Sequence, residues 1–184
     1  MTSPTDLTRF SIRRGEIDDA AELAEFAART FEEAFGANNR PDDIQAHNAA
    51  TYGPGLQAAE LADPSVVTIL AHSGTKLVAY AQVRRSRPPP CVTHESPIEL
   101  HRLYVDRPAH ASGLASRLMQ AIRDAAKELQ ARHIWLGVWE ANPRAIAFYA
   151  KEGFADVGST NFTVGGDRQT DRVLVASAGP GTSR

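Results

Sequence analysis

Apolar residues recur along this chain with two different periods, and the switches between them predict its elements. Phe10 to Arg13 reads as a short strand. Behind it, Ile17, Ala20, Ala21, Leu23, Ala24, Ala27, Ala28 and Phe31 fall at helical spacing and define an amphipathic first helix. Pro41 followed by Asp42 and Asp43 opens a second helix running to Tyr52, because the imino ring suits the first helical position and acids complement the helix dipole. Tyr52-Gly-Pro-Gly breaks it, and Leu56 to Leu61 add a turn or two of helix.

Val66 to Ala71 and Leu77 to Val83 are apolar, β-rich runs flanking Ser73-Gly74-Thr75, which predicts a hairpin. Arg87-Pro-Pro-Pro-Cys-Val-Thr-His is too proline-rich for strand or helix and reads as an exposed connection to a strand at Pro97 to Val105. After Gly113, Leu114, Leu118, Met119, Ile122, Ala125, Ala126 and Leu129 mark one face of a long helix, with Arg117, Arg123 and Lys127 off that face. His133 to Trp139 forms a strand, and Pro143 opens a helix to Gly153 that carries Ala145, Ile146, Phe148 and Tyr149. Strands around Val157 to Val164 and Arg172 to Val175, with Gly165-Gly166-Asp167 as their hairpin turn, complete a mixed α/β arrangement. Residues 1–176 read as one domain and 177–184 as a disordered tail.

Composition narrows the function. A chain of 184 residues suits one domain with a sizeable core. Cys91 is the single cysteine, so the expected home is a reducing cytoplasm. The first residues have neither a basic start nor an apolar run, and no stretch approaches a membrane span, so neither secretion nor membrane insertion is expected. Twenty Lys and Arg against 22 Asp and Glu leave a net charge of -2, which offers no basic field for nucleic acid.

The chemistry concentrates where the strand from Glu99 passes through Leu103, Tyr104 and Val105 into a short loop and a helix at Gly113. Helix N-termini leave backbone N–H groups unpaired and partly positive, which suits a pyrophosphate, and Gly113 lets backbone approach it without a Cβ in the way. There is no Gly-Lys-Ser/Thr for a P-loop and no Gly-x-Gly-x-x-Gly for a dinucleotide fold. His94, Glu95 and His101 lack metal-type spacing, and no metal is expected.

His110-Ala-Ser-Gly-Leu-Ala115 resembles the Gln/Arg-x-x-Gly-x-Gly/Ala loop of the GNAT superfamily of N-acetyltransferases, with His110 where Gln or Arg is usual. Ile134 through Phe154, with Asn142 and Ala-x-x-Phe-Tyr149, is similar to the strand-helix unit of those enzymes. Trp135-Leu-Gly-Val-Trp-Glu140, followed by the segment Asn161 to Asp171, looks like the bacterial Pai-type spermidine/spermine N-acetyltransferase subgroup. The resemblance implies a mostly antiparallel sheet of about seven strands flanked by helices. It implies acetyl-CoA as acetyl donor, with its pantetheine arm along Leu103, Tyr104 and Val105. The pyrophosphate would then sit among His110, Ala111, Ser112, Gly113, Leu114, Ala115 and Ser116, and Asn142 near the thiol end. Tyr149 would protonate the departing thiolate and also touch the cofactor, and Glu99 matches a strand position that supplies a general base in some members.

The physical demands agree. An amine with a pKa near 10.4 is neutral in fewer than about one molecule per thousand at pH 7, so a base or a desolvating pocket is needed. Strand alternation sets Glu99, His101 and Leu103 on one face, which makes His101 a competing base. The acids Glu32, Glu33, Asp42 and Asp43 border the expected acceptor side and could draw a polyamine. The alternatives are acetyl transfer to a peptide N-terminus, an amino acid or an aminoglycoside, or a non-catalytic acyl-CoA-binding module, and a homodimer is compatible with the fold.

Overall fold

The computed structural model describes residues 9–164 and 167–179. Its elements are β1 (Phe10–Arg14), α1 (Ala20–Phe35), α2 (Pro41–Thr51), α3 (Pro54–Ala62), β2 (Val66–Ser73), β3 (Lys76–Arg84) and β4 (Pro97–Val105), then α4 (Leu114–Glu128), β5 (His133–Trp139), α5 (Pro143–Lys151), β6 (Ala155–Val164) and β7 (Asp167–Ser177). The strands form one seven-stranded sheet in the order β1-β2-β3-β4-β5-β7-β6. Every neighbouring pair is antiparallel except β4 and β5.

That exception positions the site. β4 and β5 pair only at Pro97↔His133, Ile98↔Ile134 and Glu99↔Trp135, after which the strands part. Beneath the paired end, Ile98, Leu100, Ile134 and Leu136 bury themselves against Leu118, Met119 and Ile122 of α4, so one apolar core underlies both halves of the sheet. On the opposite face, α1 and α2 send Leu23, Phe26, Ala27, Phe31 and Ile44 against Leu70, Leu77 and Tyr80. A bulge where β3 meets β4 pairs Val83 with Leu100 and Gln82 with Arg102, leaving His101 as the extra residue.

Several expectations change on this frame. Ile17 belongs to a 3-10 turn before α1 and is exposed, because the helix begins only at Ala20. Arg123 is buried rather than outward: its guanidinium donates to the carbonyls of Ser177, Gly179 and Glu152, tying α4 to the end of β7 and the end of α5. β7 runs through Ser177, and Ala178 is buried with its N–H donating to Arg132 O at 2.9 Å, so the ordered chain passes the expected start of the tail. Residues 180–184, and Gly165 and Gly166 of the expected turn, lie outside the described residues. The proline-rich connection is not merely solvated, since Val92 is buried against Trp135, Val173 and Val175 and Cys91 sits against Gly158.

Candidate active site

Where β4 and β5 part, a cavity of about 940 Å³ opens through the sheet, from α1 and α2 on one side to the ends of α4 and α5 on the other. Beyond Glu99, β4 keeps its hydrogen-bonding partner β3 on one edge, and its other edge has no paired strand. Leu103, Tyr104 and Val105 line the cavity along that open edge, and the alternate backbone groups that point away from β3 there are available to an extended ligand.

The β4–α4 connection is held stiffly. Asp106 N–H donates to Val78 O at 2.8 Å, and the Asp106 carboxylate accepts from Arg29 and Lys76 at 3.0 and 3.3 Å. His110 does not extend into open space: its Nε2 donates to Val105 O at 2.8 Å, so the imidazole braces the loop against the strand it leaves. The Ser112 hydroxyl donates to Ala109 O at 2.6 Å and accepts from Leu114 N at 3.3 Å. Ser112 and Leu114 side chains point inward and are buried. Gly113 adopts φ 81°, the left-handed region, and Ala111 adopts φ 58°. The first helical bond of α4 is Arg117 N to Gly113 O at 3.2 Å, so the N–H groups of Ala115 and Ser116 have no carbonyl within the helix to bond. The Ser116 hydroxyl donates to Glu152 at 2.6 Å. What this loop presents to the cavity is therefore backbone N–H and the positive end of α4, a fit for a pyrophosphate.

Across the opening, Asn142 caps α5 by accepting from Ala145 N at 3.1 Å, with Pro143 at the first helical position, and its amide NH₂ remains to serve a ligand. Tyr149 packs edge-on to Phe148 and Phe154, with ring centroids 5.3 and 5.5 Å away, and lines the cavity. Burial pushes its phenol well above the usual range, so Tyr149 keeps its proton at any physiological pH.

On the side expected to receive the acceptor, Glu99 accepts from Arg84 Nε at 2.6 Å and lies 3.3 Å from His101 Nδ1. Burial would raise the Glu99 pKa, but its bonds to His101 and Arg84 prevail and hold it at about 2. A carboxylate so stabilised is a weak direct base. His101 is itself pushed below its ordinary value, by burial first and by Arg102 and Arg84, against the pull of Glu99. It is therefore neutral near pH 7 and available as an acceptor of protons. The expected common face of Glu99, His101 and Leu103 is broken by the bulge at His101: Leu103 packs on the α4 side, whereas Arg102 bonds Glu60 at 2.6 Å and Tyr104 stacks on Tyr80 on the α1 side.

The remaining wall of this half is aromatic, formed by Phe31, Phe35, His47, Tyr52, Trp135, Trp139 and Phe162. Of the four acids expected near the acceptor, Glu33 lines the cavity but is paired with Arg29 at 2.7 Å, and Glu32 and Asp42 face solvent. Arg84 and Asp171 were not expected from the residue pattern, because the strand register that sets Arg84 opposite Glu99 and Asp171 opposite Trp139 is a product of tertiary pairing. His94, Glu95 and His101 do not converge: His94 packs on the His133 ring, Glu95 pairs with Arg132 at 2.7 Å, and His101 turns to Glu99.

No helix among the described residues is long and apolar enough to cross a membrane. The profile of the acetyltransferase (GNAT) family matches residues 21–154. An uncharacterised N-acetyltransferase of Mycobacterium tuberculosis is 34% identical over 157 residues, covering 85% of this chain and 96% of that protein. The crystal structure of a PaiA N-acetyltransferase from Thermoplasma acidophilum in complex with coenzyme A superposes with a TM-score of 0.74 at 16% identity, covering 91% of this chain and 98% of that one. A spermidine N-acetyltransferase chimera of SpeG from Vibrio cholerae and hSSAT gives a TM-score of 0.65 at 16% identity, over 92% and 96% of the two chains.

Proposed function

This chain belongs to the GNAT family of acetyltransferases and takes its acetyl group from acetyl-CoA, and we propose that it delivers that group to a primary amine of a polyamine such as spermidine. The observation that carries the reading is the parting of β4 and β5: an open strand edge leads at one end to the unpaired N–H groups behind Gly113 and at the other to a buried, aromatic-walled chamber. The polyamine assignment is supported by the Trp135 to Glu140 resemblance and by the fold shared with a spermidine N-acetyltransferase chimera.

In this reading Leu103, Tyr104 and Val105 hold the pantetheine arm through backbone, residues 110–116 hold the pyrophosphate, and Asn142 donates near the thiol. The cosubstrate supplies an acetyl thioester that is already activated, so no covalent intermediate on the protein is required. His101 takes the proton from the incoming amine. Glu99 accepts from His101 Nδ1–H, which fixes the tautomer that leaves Nε2 with its lone pair, and Arg84 keeps the Glu99 carboxylate ionised. Glu99 is thus a positioning residue for His101. A strand N–H stabilises charge that develops on the carbonyl oxygen, a contribution of roughly 3 kcal/mol for one such donor. Tyr149, protonated and half-buried, hands its proton to the departing thiolate. The single Cys91 supports a reducing cytoplasm as the setting of this reaction.

Release of free thiol from acetyl-CoA, measured with spermidine, spermine, peptide N-termini, amino acids and aminoglycosides, tests the assignment. The expected result is the highest kcat/KM with the polyamines. Turnover confined to another class overturns the acceptor assignment.

A further inference from the structure

Acidic side chains set into this protein generally meet a cation. Asp106 meets Arg29 and Lys76, Glu99 meets Arg84, and Glu60 meets Arg102. Asp171 does not. It lines the cavity, half-buried, and among the described residues no donor reaches its carboxylate. Burial, and then the like charge of Glu140, push its pKa up to about 6. A carboxylate withdrawn from water without a partner is unfavourable, and a bound cation would relieve it.

The surroundings are built for such a cation. Asp171 stands opposite Trp139 of β5 and Thr160 of β6, so the three side chains share one face of the sheet. Gly137 lies on that face too, and a Cβ there would come within 3.0 Å of Asp171 Oδ2, so the glycine makes the seat in which the carboxylate rests. Trp139 packs beside Phe35 with centroids 6.1 Å apart, and Phe162 beside His47 at 6.2 Å, all four lining the cavity. Trp135, on the same face and 7% exposed, has an Nε1–H without a partner among the described residues. A carboxylate among aromatic faces is the chemistry that receives an ammonium group.

Distance separates this group from the reacting nitrogen. β5 lies between His101 on β4 and Asp171 on β7; with Glu99 level with Trp135 and Asp171 level with Trp139, the two backbones are about two strand spacings apart across the sheet and about two residues apart along it, on the order of 12 Å. After hydrogen bonds of about 3 Å at each end, the remaining span suits two nitrogens separated by about three to five methylene groups.

We propose that Asp171, seated over Gly137 among Trp139 and Phe162, is an ammonium-binding subsite that holds the far end of an α,ω-diamine while its near end is acetylated. The proposal rests on the amine-acetyltransferase reading above, and the test separates the two. The kcat/KM of the full chain is measured for 1,3-diaminopropane, putrescine and cadaverine against propylamine, butylamine and pentylamine, with thermal unfolding of each variant as the check on folding. The wild type is expected to favour the diamines about 10- to 100-fold. In Asp171→Asn the diamine-to-monoamine ratio is expected to fall to about one, through KM rather than kcat. Gly137→Ala is expected to lower the same ratio by displacing the carboxylate. A wild type that acetylates both series equally overturns the subsite and leaves the acetyltransferase reading intact. A ratio unchanged in Asp171→Asn, even if both rates fall, also overturns the subsite. If neither series is acetylated at all, the amine reading fails and the subsite with it.

Discussion

Glu99 and Asp171 face one cavity from strands on either side of β5, and their pKa values are displaced in opposite directions because their neighbours differ. The folded pKa of Glu99 lies at about 2 against 4.5 for a free group, so the stability it lends is full above pH 4.5 and is lost as pH falls toward 2. Glu99→Gln removes this and leaves Arg84 without its carboxylate, at an expected cost of about 2–3 kcal/mol at pH 7 in urea unfolding. The folded pKa of Asp171 is raised from 3.8 to about 6, so its ionisation destabilises: the cost is absent below pH 3.8 and complete once pH has passed about 6. Discounted for partial exposure, that cost is about 1–2 kcal/mol. Asp171→Asn should accordingly be more stable than the wild type by that amount at pH 8 and equal to it near pH 3.5. A variant less stable at pH 8 would mean that Asp171 has a partner inside the fold. Tyr149→Phe keeps the packing against Phe148 and Phe154 but removes the proton, and kcat is expected to fall about 100-fold with little change in KM.

Element by element, periodicity carried most of the fold. β4 and β5 begin and end at the expected residues, and α2, α4 and α5 start at or within one residue of the proline and glycine that announced them. Propensity and capping are local, and local signals survive folding. The bulge at His101 left no such mark, since an extra residue in a strand becomes visible only against its partner β3. Arg123 was misread for a related reason: its position on α4 is polar by periodicity, yet the carbonyls at the ends of β7 and α5 converge there and turn a surface charge into a buried tie. The loop before α4 was legible at Gly113 and ambiguous at His110, and the structure gives His110 a bracing contact to Val105 O. Gly113 itself holds φ 81°, which an alanine tolerates only with strain. Gly113→Ala is expected to destabilise by about 1–2 kcal/mol and to raise KM for acetyl-CoA, because the added Cβ strains the turn that aims the N–H groups of α4. An unchanged KM would detach this loop from the donor.

For the whole molecule, the decisive fact is that the two halves of the sheet, β1 to β4 and β5 to β6, are joined across their middle by three residue pairs and by the α4 core beneath. The opening this creates is the candidate site, and strand pairing is given up where the proposed ligand would lie. A donor lying along the free edge of β4 and touching the starts of α4 and α5 would supply contacts between the halves that the chain itself lacks. Binding to the folded state alone then adds stability by mass action, about 2.7 kcal/mol at a hundredfold excess over Kd. For a domain of this size that corresponds to a rise in Tm of about 5–10 °C. Coenzyme A should produce this rise in the wild type and a smaller one in Gly113→Ala at the same concentration, whereas Asp171→Asn should shift as the wild type does, since Asp171 lies in the half proposed for the acceptor. Equal shifts in all three proteins would mean that the ligand binds somewhere other than the gap between β4 and β5.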